Sequence, residues 1–360
     1  MQPGPAMRAK SLLLNMWVCA GVALAQVEEV PLFDLRGHRD AVRQLVFLPD
    51  NEHLLSVGDS GSVIVWKLET HRPLHRLTPT VSTRIEGSLN LMPNRKVERI
   101  ALAPDGRTLI EAVTERDRRS VLRLWRVPEG RELRVLAEDR SAVRAVAISP
   151  DGRLVASNAR DVRRFVHYIV LRQLAGNRVV ARLEEKRLSP VRLLFSPDGK
   201  WLIAAGSRRL HIWDVAARKL AHRDDAAHKK AITDIAISPD GKYLATVSTD
   251  DTARLWDPAT GKRVREIEAD QDGLYCVAIS PSGRTLVTGG GDTTTRLWST
   301  GSGKRRKTLW GHVARVTAVA VSPDGTRLAT GSRDGTISIW KFSEPAEDEA
   351  ADEDETDDDD

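Results

Sequence analysis

A proline-led turn that recurs along the chain limits what this sequence can fold into more than any other feature. Its seven occurrences are Pro49-Asp50, Pro104-Asp105, Pro150-Asp151, Pro197-Asp198, Pro239-Asp240, Pro281-Ser282 and Pro323-Asp324, and the last three intervals between prolines are each 42 residues. A period near 42 lies in the range of four-stranded units stacked around a ring, and self-similarity at a fixed period outranks other fold signals. The last copy, 309–342, is the clearest. Its three short alternating apolar runs, 316–321, 327–332 and 336–340, are separated by Ser322-Pro323-Asp324-Gly325 and Arg333-Asp334-Gly335, the mark of a three-strand meander. In the first of these turns proline presets φ at the second position and glycine takes the fourth, as a type I turn favours.

Polar residues recur in step with the strands. Counted back from Trp340, His312, Thr330 and Asp334 stand at offsets of 28, 10 and 6, and His228, Thr246, Asp250 and Trp256 repeat the set 84 residues earlier. Four residue types held at three offsets resemble the WD repeat, one blade of a β-propeller. That resemblance implies that a His at the blade start, a Ser or Thr on the second strand, an Asp in the next turn and a Trp on the third strand form a buried hydrogen-bonded chain that fixes how the strands cross. Blade one supplies His38, Ser56 and Trp66, with Asp59 as a displaced turn acid. Blade six supplies Thr288, Asp292 and Trp298, with Asp270 at the histidine offset. Blade four keeps Trp213 but lacks the His and the turn Asp, and blade three has Leu171 nearest the tryptophan position, within a third strand expected over 166–171. Blade two carries a long insertion at 80–95 and a lengthened turn at 114–120, so its network is expected to be missing.

After Trp340 only Lys341 and Phe342 precede an acidic run, which leaves the last blade without an outer strand of its own. Residues 30–36 precede Gly37-His38 as 307–310 precede Gly311-His312, so the N-terminal strand is expected to pair with the last blade. Closure matters because an open radial array exposes unpaired backbone at both ends. The expectation is an all-β fold: one seven-bladed β-propeller over 27–343, closed by the N-terminal strand.

Composition sharpens what lies outside that domain. Residues 344–360 hold twelve Asp or Glu and no basic residue, so the chain's net charge of +5 leaves about 5 + 12 = +17 on the rest. Such a tail cannot bury apolar surface and repels itself, and 344–360 is expected to be disordered. At the other end Arg8 and Lys10 precede an apolar run that finishes in Ala23-Leu24-Ala25, the layout of a signal peptide over 1–25. The run is short for a membrane span, so no span is expected after cleavage, and the protein is expected to be periplasmic or secreted. Cys19 and Cys276 are the two cysteines; removal of a leader leaves one, which permits no intrachain disulfide.

The sequence shows no GxSxG elbow, HExxH, phosphate loop or paired cysteines, so neither cofactor nor metal is implied. Rotationally repeated Asp and His point to a framework, since catalysis needs one asymmetric cluster. His71 and His75 are interrupted by Pro73, and no channel-lining acid or base cluster is evident. The WD resemblance implies partner binding on the face that carries the blade-start loops. Transferred onto matching positions, it nominates Arg43, Thr233, Tyr275, Arg315, Thr317 and Arg333, with Lys96, Glu98 and Arg144 aligned through prolines alone. Arginine suits carboxylate or phosphate recognition, and hot spots favour Tyr and Arg. The expected role is a non-catalytic, monomeric scaffold for an acidic protein or peptide. Nucleic acid is not expected, because no stacking aromatics accompany the basic runs. The alternatives are a Tol-type periplasmic propeller, or a hydrolase or lyase using the central channel.

Overall fold

A computed structural model describes residues 30–77, 96–114, 120–127, 129–139, 143–161, 164, 166–185 and 189–344. The expected leader, the 80–95 insertion and all but the first residue of the acidic tail lie outside these residues.

The described strands form seven four-stranded antiparallel sheets and no helix. Six sheets are simple meanders in chain order; the seventh takes three strands from the end of the chain and one from its beginning. The innermost strands, Val42–Phe47 in blade one to Val316–Val321 in blade seven, surround a common axis, and these two pack against each other. The architecture is a seven-bladed β-propeller.

Blade burial explains the sequence pattern. Second and third strands are sandwiched between neighbouring sheets, so Leu244–Ser248 and Thr252–Trp256 are buried along their whole length. The outer strand Lys219–Asp224 has one solvated face and alternates between exposed and half-buried positions, as a one-sided strand should. Among the described residues there are seven apolar clusters, each spanning one junction between consecutive blades. The junction from blade seven to blade one is as apolar as the others: Val42 and Trp66 of blade one meet Leu35, Ala318, Ile337 and Ile339 of blade seven there. Truncating a fully buried tryptophan such as Trp66 or Trp340 would cost about 3–5 kcal/mol.

The N-terminal strand Phe33–Arg36 lies antiparallel to Thr336–Lys341, with Phe33 opposite Ile339 and Arg36 opposite Thr336. Leu35 points into the core and is fully buried, and Ser338 Oγ donates to Asp34 Oδ1 at 2.7 Å.

The proline turns keep one construction. In blade seven Gly325 N donates to Ser322 O at 2.9 Å with Gly325 at φ 67°, and Ser322 Oγ donates to Asp324 Oδ1 at 2.5 Å. Blade one places Asn51 at φ 59° instead of glycine, a residue that tolerates the left-handed region. Blade six has Ser282 in place of the turn aspartate. There Glu344, arriving from the C-terminal segment, accepts from Arg284 Nη2 at 3.2 Å. Burial opposes ionisation of Glu344, but Ser280, Ser282 and Arg284 outweigh it and hold its carboxyl below the ordinary range. A carboxylate missing from the repeat is thus supplied from elsewhere in the chain.

Candidate functional site

The polar networks position the loops of the blade-start face. In blade five Trp256 Nε1 donates to Thr246 Oγ1 at 2.9 Å, and Thr246 Oγ1 lies 2.7 Å from His228 Nε2. With the hydroxyl proton directed at Nε2, His228 carries its proton on Nδ1 and donates to Asp250, 3.1 Å away. Burial holds the His228 pKa below the usual histidine value despite the Asp250 charge. The same burial opposes ionisation of Asp250, but the Thr252 hydroxyl, the His228 ring and backbone amides outweigh it and lower its pKa to about 2. Asp250 then accepts Lys229 N at 2.7 Å, pinning the loop that follows the histidine. Blade seven repeats the pattern through His312, Thr330 and Trp340, with Nε2 to Thr330 at 2.7 Å and the indole N–H to Thr330 at 2.9 Å. There Thr336 Oγ1 lies 3.2 Å from His312 Nδ1, Asp334 stands back at 3.7 Å, and Asp334 Oδ2 accepts Val313 N.

The remaining blades depart from the repeat in different ways. In blade one His38 bridges Ser56 at 2.6 Å and Ser62 at 2.8 Å, and Trp66 donates to Ser56 at 2.7 Å. Asp59 is not part of this chain; it pairs with Arg43 at 2.6 Å. Burial lowers the His38 pKa to about 4, against the pull of Asp40. In blade six the residue at the histidine's place is Gln271, not Asp270. Thr288 Oγ1 donates to Gln271 Oε1 at 2.6 Å, Gln271 Nε2 donates to Thr294 Oγ1 at 3.1 Å, and Trp298 donates to Thr288 at 2.8 Å. Asp292 caps this chain by accepting from Thr294 Oγ1 and from Arg296 at 2.9 Å. One residue is missing between Gln271 and Gly273, so a count from the tryptophan lands one position early; from Gly273 onward the register matches blade seven, with Leu274 opposite Gly290 as Val316 is opposite Ser332. Blade two does hold its tryptophan by a polar group: Trp125 donates to the buried Glu111 at 3.0 Å. In blade four Ile203 occupies the acceptor position, and the buried Trp213 N–H makes no hydrogen bond among the described residues. Blade three pairs Leu171 with Ala156 in the middle of a third strand, Val166–Gln173.

The nominated partner-facing residues fall into three groups. Thr233 and Thr317 turn their hydroxyls to backbone: Thr233 Oγ1 lies 2.8 Å from Leu274 O of the next blade, and Thr317 Oγ1 reaches Val42 O across the closing junction. They tie blades together. Arg43 is neutralised by Asp59, and Lys96 lies 3.2 Å from Glu98. Arg144, Arg315 and Arg333 form no ion pair among the described residues, which leaves the positive charge of this face on blades three and seven. The Arg315 guanidinium stands 4.7 Å from the centre of the Tyr275 ring, a cation–π contact that fixes its direction. Arg333 N donates to Arg315 O at 3.0 Å, so the two loops are linked.

Two further residues belong to the chain segment that leads into Arg315. Trp310 is 58% exposed and Val313 is 85% exposed, in the loop that contains Gly311 and His312. Large exposed apolar side chains in the same segment as an oriented arginine are what an interface core needs. A tryptophan outside the third-strand series was the available signal.

A charged cluster also lies in the central channel, contrary to the expectation of none. Arg99, Arg192 and Asp234 come from the innermost strands of blades two, four and five, and line a cavity of about 310 Å³. Each stands five residues before its turn proline.

The fold and its tryptophan-centred networks define a class of repeat propeller. The family whose profile is described as WD domain, G-beta repeat matches residues 29–67, 130–161, 182–214, 222–257, 261–299 and 303–341, and the chain belongs to this family. It is 33% identical over 253 residues to apoptotic protease-activating factor 1 of Rattus norvegicus, covering 63% of this chain and 19% of that protein. It is 24% identical over 244 residues to WD repeat-containing protein 36 of Homo sapiens, covering 67% of this chain and 25% of that protein. Small ribosomal subunit protein RACK1 of Glycine max is 34% identical over 138 residues, covering 34% of this chain and 41% of that protein. The chain thus spans a quarter or less of the length of the first two relatives. No helix of the described residues is long and apolar enough to cross a membrane.

Proposed function

We propose that this WD-repeat propeller is a non-catalytic, exported scaffold that binds an acidic segment of a protein partner on the blade-seven side of its blade-start face. The observation that carries the reading is the Arg315 guanidinium held over Tyr275, in a loop that also exposes Trp310 and Val313. Two guanidiniums without carboxylate partners favour an acidic ligand through charge-assisted, bidentate bonds. The apolar pair adds area that a purely electrostatic surface would lack. The domain is taken as 27–343 and the molecule as a monomer. Export rests on the layout of 1–25, and sequencing the N-terminus of the natural protein tests it: Gln26 first supports cleavage, and an intact Met1 removes the idea.

The binding reading is tested by crosslinking and mass spectrometry on cells that carry wild type, the double variant Arg315→Glu/Arg333→Glu, or Trp310→Ala. Partners of wild type are expected to be lost at least tenfold from both variants, and acidic segments are expected among the crosslinked peptides. Retention of the same partners by the double variant would overturn the assignment of this face.

A further inference from the structure

We infer that the central channel holds a carboxylate-binding site built from Arg99 and Arg192 around Asp234. This site is separate from the blade-seven face. Its cavity runs from the middle of the innermost strands to Ser196, Pro197 and Pro150, so it lies toward the proline-turn side of the propeller, opposite the blade-start loops.

The charge count inside it does not balance. Arg192 Nε donates to Asp234 Oδ1 at 2.7 Å, and Arg192 Nη1 donates to Val191 O at 2.9 Å. Asp234 Oδ2 accepts Val277 N from the next blade at 3.2 Å. Asp234 and Arg192 therefore neutralise and orient one another. Arg99 reaches across from blade two, with Nη2 3.9 Å from Asp234 Oδ1, and makes no hydrogen bond among the described residues. Its side chain is only 12% exposed. A guanidinium so withdrawn from bulk water, without an acceptor, favours an anion strongly. Gln44 does not act as its acceptor: its amide is turned to the Ile100 backbone, accepting N–H at 3.1 Å and donating to O at 3.0 Å. Val46, Val146, Ile148 and Leu194 form apolar walls, which lower the local dielectric and strengthen the attraction.

A volume of about 310 Å³ has room for roughly ten waters at ~30 Å³ each, hence for a small di- or tricarboxylate. The same chemistry has a second source within the chain. Glu344 is fixed at the blade-six proline turn, on the side of the ring toward which the cavity runs, and eleven Asp or Glu follow it in the sequence. Either a free polycarboxylate or one of these side chains would set a carboxylate against the Arg99 fork.

Calorimetric titration with citrate tests the site in the full chain, in Arg99→Gln, and in a full-length chain whose eleven acids after Glu344 are Asn or Gln. One-to-one citrate binding is expected in the neutral-tail chain, weakened at least tenfold when Arg99→Gln is added. Tighter binding by the neutral-tail chain than by wild type would identify the chain's own carboxylates as the occupant; equal binding would identify a free anion. Arg99→Lys, which keeps the charge but not the fork, is expected to bind about tenfold more weakly and serves if Arg99→Gln does not fold. Absence of citrate binding in the neutral-tail chain, or equal binding with and without the Arg99 substitution, would overturn the proposal. Arg315→Glu is expected to leave citrate binding unchanged, which separates this site from the blade-seven face.

Discussion

Blades five to seven and blades two to four solve one packing problem with different chemistry. In the former, each tryptophan N–H ends on a threonine that continues to His228, Gln271 or His312. In the latter, Trp125 ends on Glu111, Trp213 on nothing among the described residues, and Leu171 has no polar edge at all. All six blades nonetheless keep four strands and an apolar cluster at each junction. Apolar burial between sheets thus makes the blade. The polar chain adds a pin that reaches from the core to the blade-start loop, as Asp250 does to Lys229 N and Asp334 to Val313 N. Partner-facing side chains with the best-fixed directions accordingly lie in the regular half.

This contrast can be broken at one residue. Thr246→Val would leave the Trp256 N–H and His228 Nε2 without partners in a buried site, which at 1–3 kcal/mol per orphaned group predicts a loss of about 4 kcal/mol in denaturant unfolding. A loss below 1 kcal/mol would mean that the pins are ornamental even where they are complete.

Acid should distinguish the histidine blades from the glutamine blade. The folded-state pKa of His38 lies at about 4, below its ordinary 6.5, so the unfolded chain takes up a proton before the folded one does. The destabilisation is absent above pH 6.5, grows as pH falls, and saturates below pH 4. At about 1.4 kcal/mol per unit it approaches about 3.5 kcal/mol. His38→Gln, which copies Gln271, is expected to flatten the stability profile between pH 6.5 and 4, measured by unfolding at stepped pH. Asp250, with its pKa held at about 2, contributes stability above its ordinary 3.8 that is lost as pH falls towards 2, so its effect appears only after that of His38.

The smallest effect should come from repairing blade four. Ile203→Thr offers Trp213 N–H an acceptor, and a net gain of about 1 kcal/mol for the hydrogen bond is offset by roughly the same loss of apolar burial. A melting temperature within a few degrees of wild type is expected. A drop comparable to that of Thr246→Val would show that blade four requires the apolar side chain at that position.

What the sequence made legible followed from what repeats. His38, Ser56, Trp66 and the blade-five and blade-seven sets recur at fixed offsets because strand length and turn length are the same in each copy. Gln271 escaped because one deleted residue shifts it against the tryptophan count and because glutamine makes the same two hydrogen bonds as histidine with a different name. Glu111 escaped for a related reason: the lengthened turn of blade two puts it 14 residues before Trp125 instead of 10. The channel cluster was hidden differently. Gln44, Arg99, Arg192 and Asp234 share a position five residues before the turn proline, but their types differ from blade to blade, and a search for recurrence passes over a position whose meaning lies in the differences. Trp310 and Val313 were legible as residues but not as exposed ones, since exposure depends on where neighbouring loops end.

The pairing of Phe33 with Ile339 and Arg36 with Thr336 has a mechanical consequence. Both chain ends leave the last sheet from the same end of that ladder, so tension applied to them separates its rungs singly, as in a zipper, instead of loading all four together. The ring would then yield to a modest pull at this seam. Conversely, a short linker joining residue 344 to residue 30, with new ends opened in the loop between two other blades, should leave all seven sheets complete and move the weak point elsewhere.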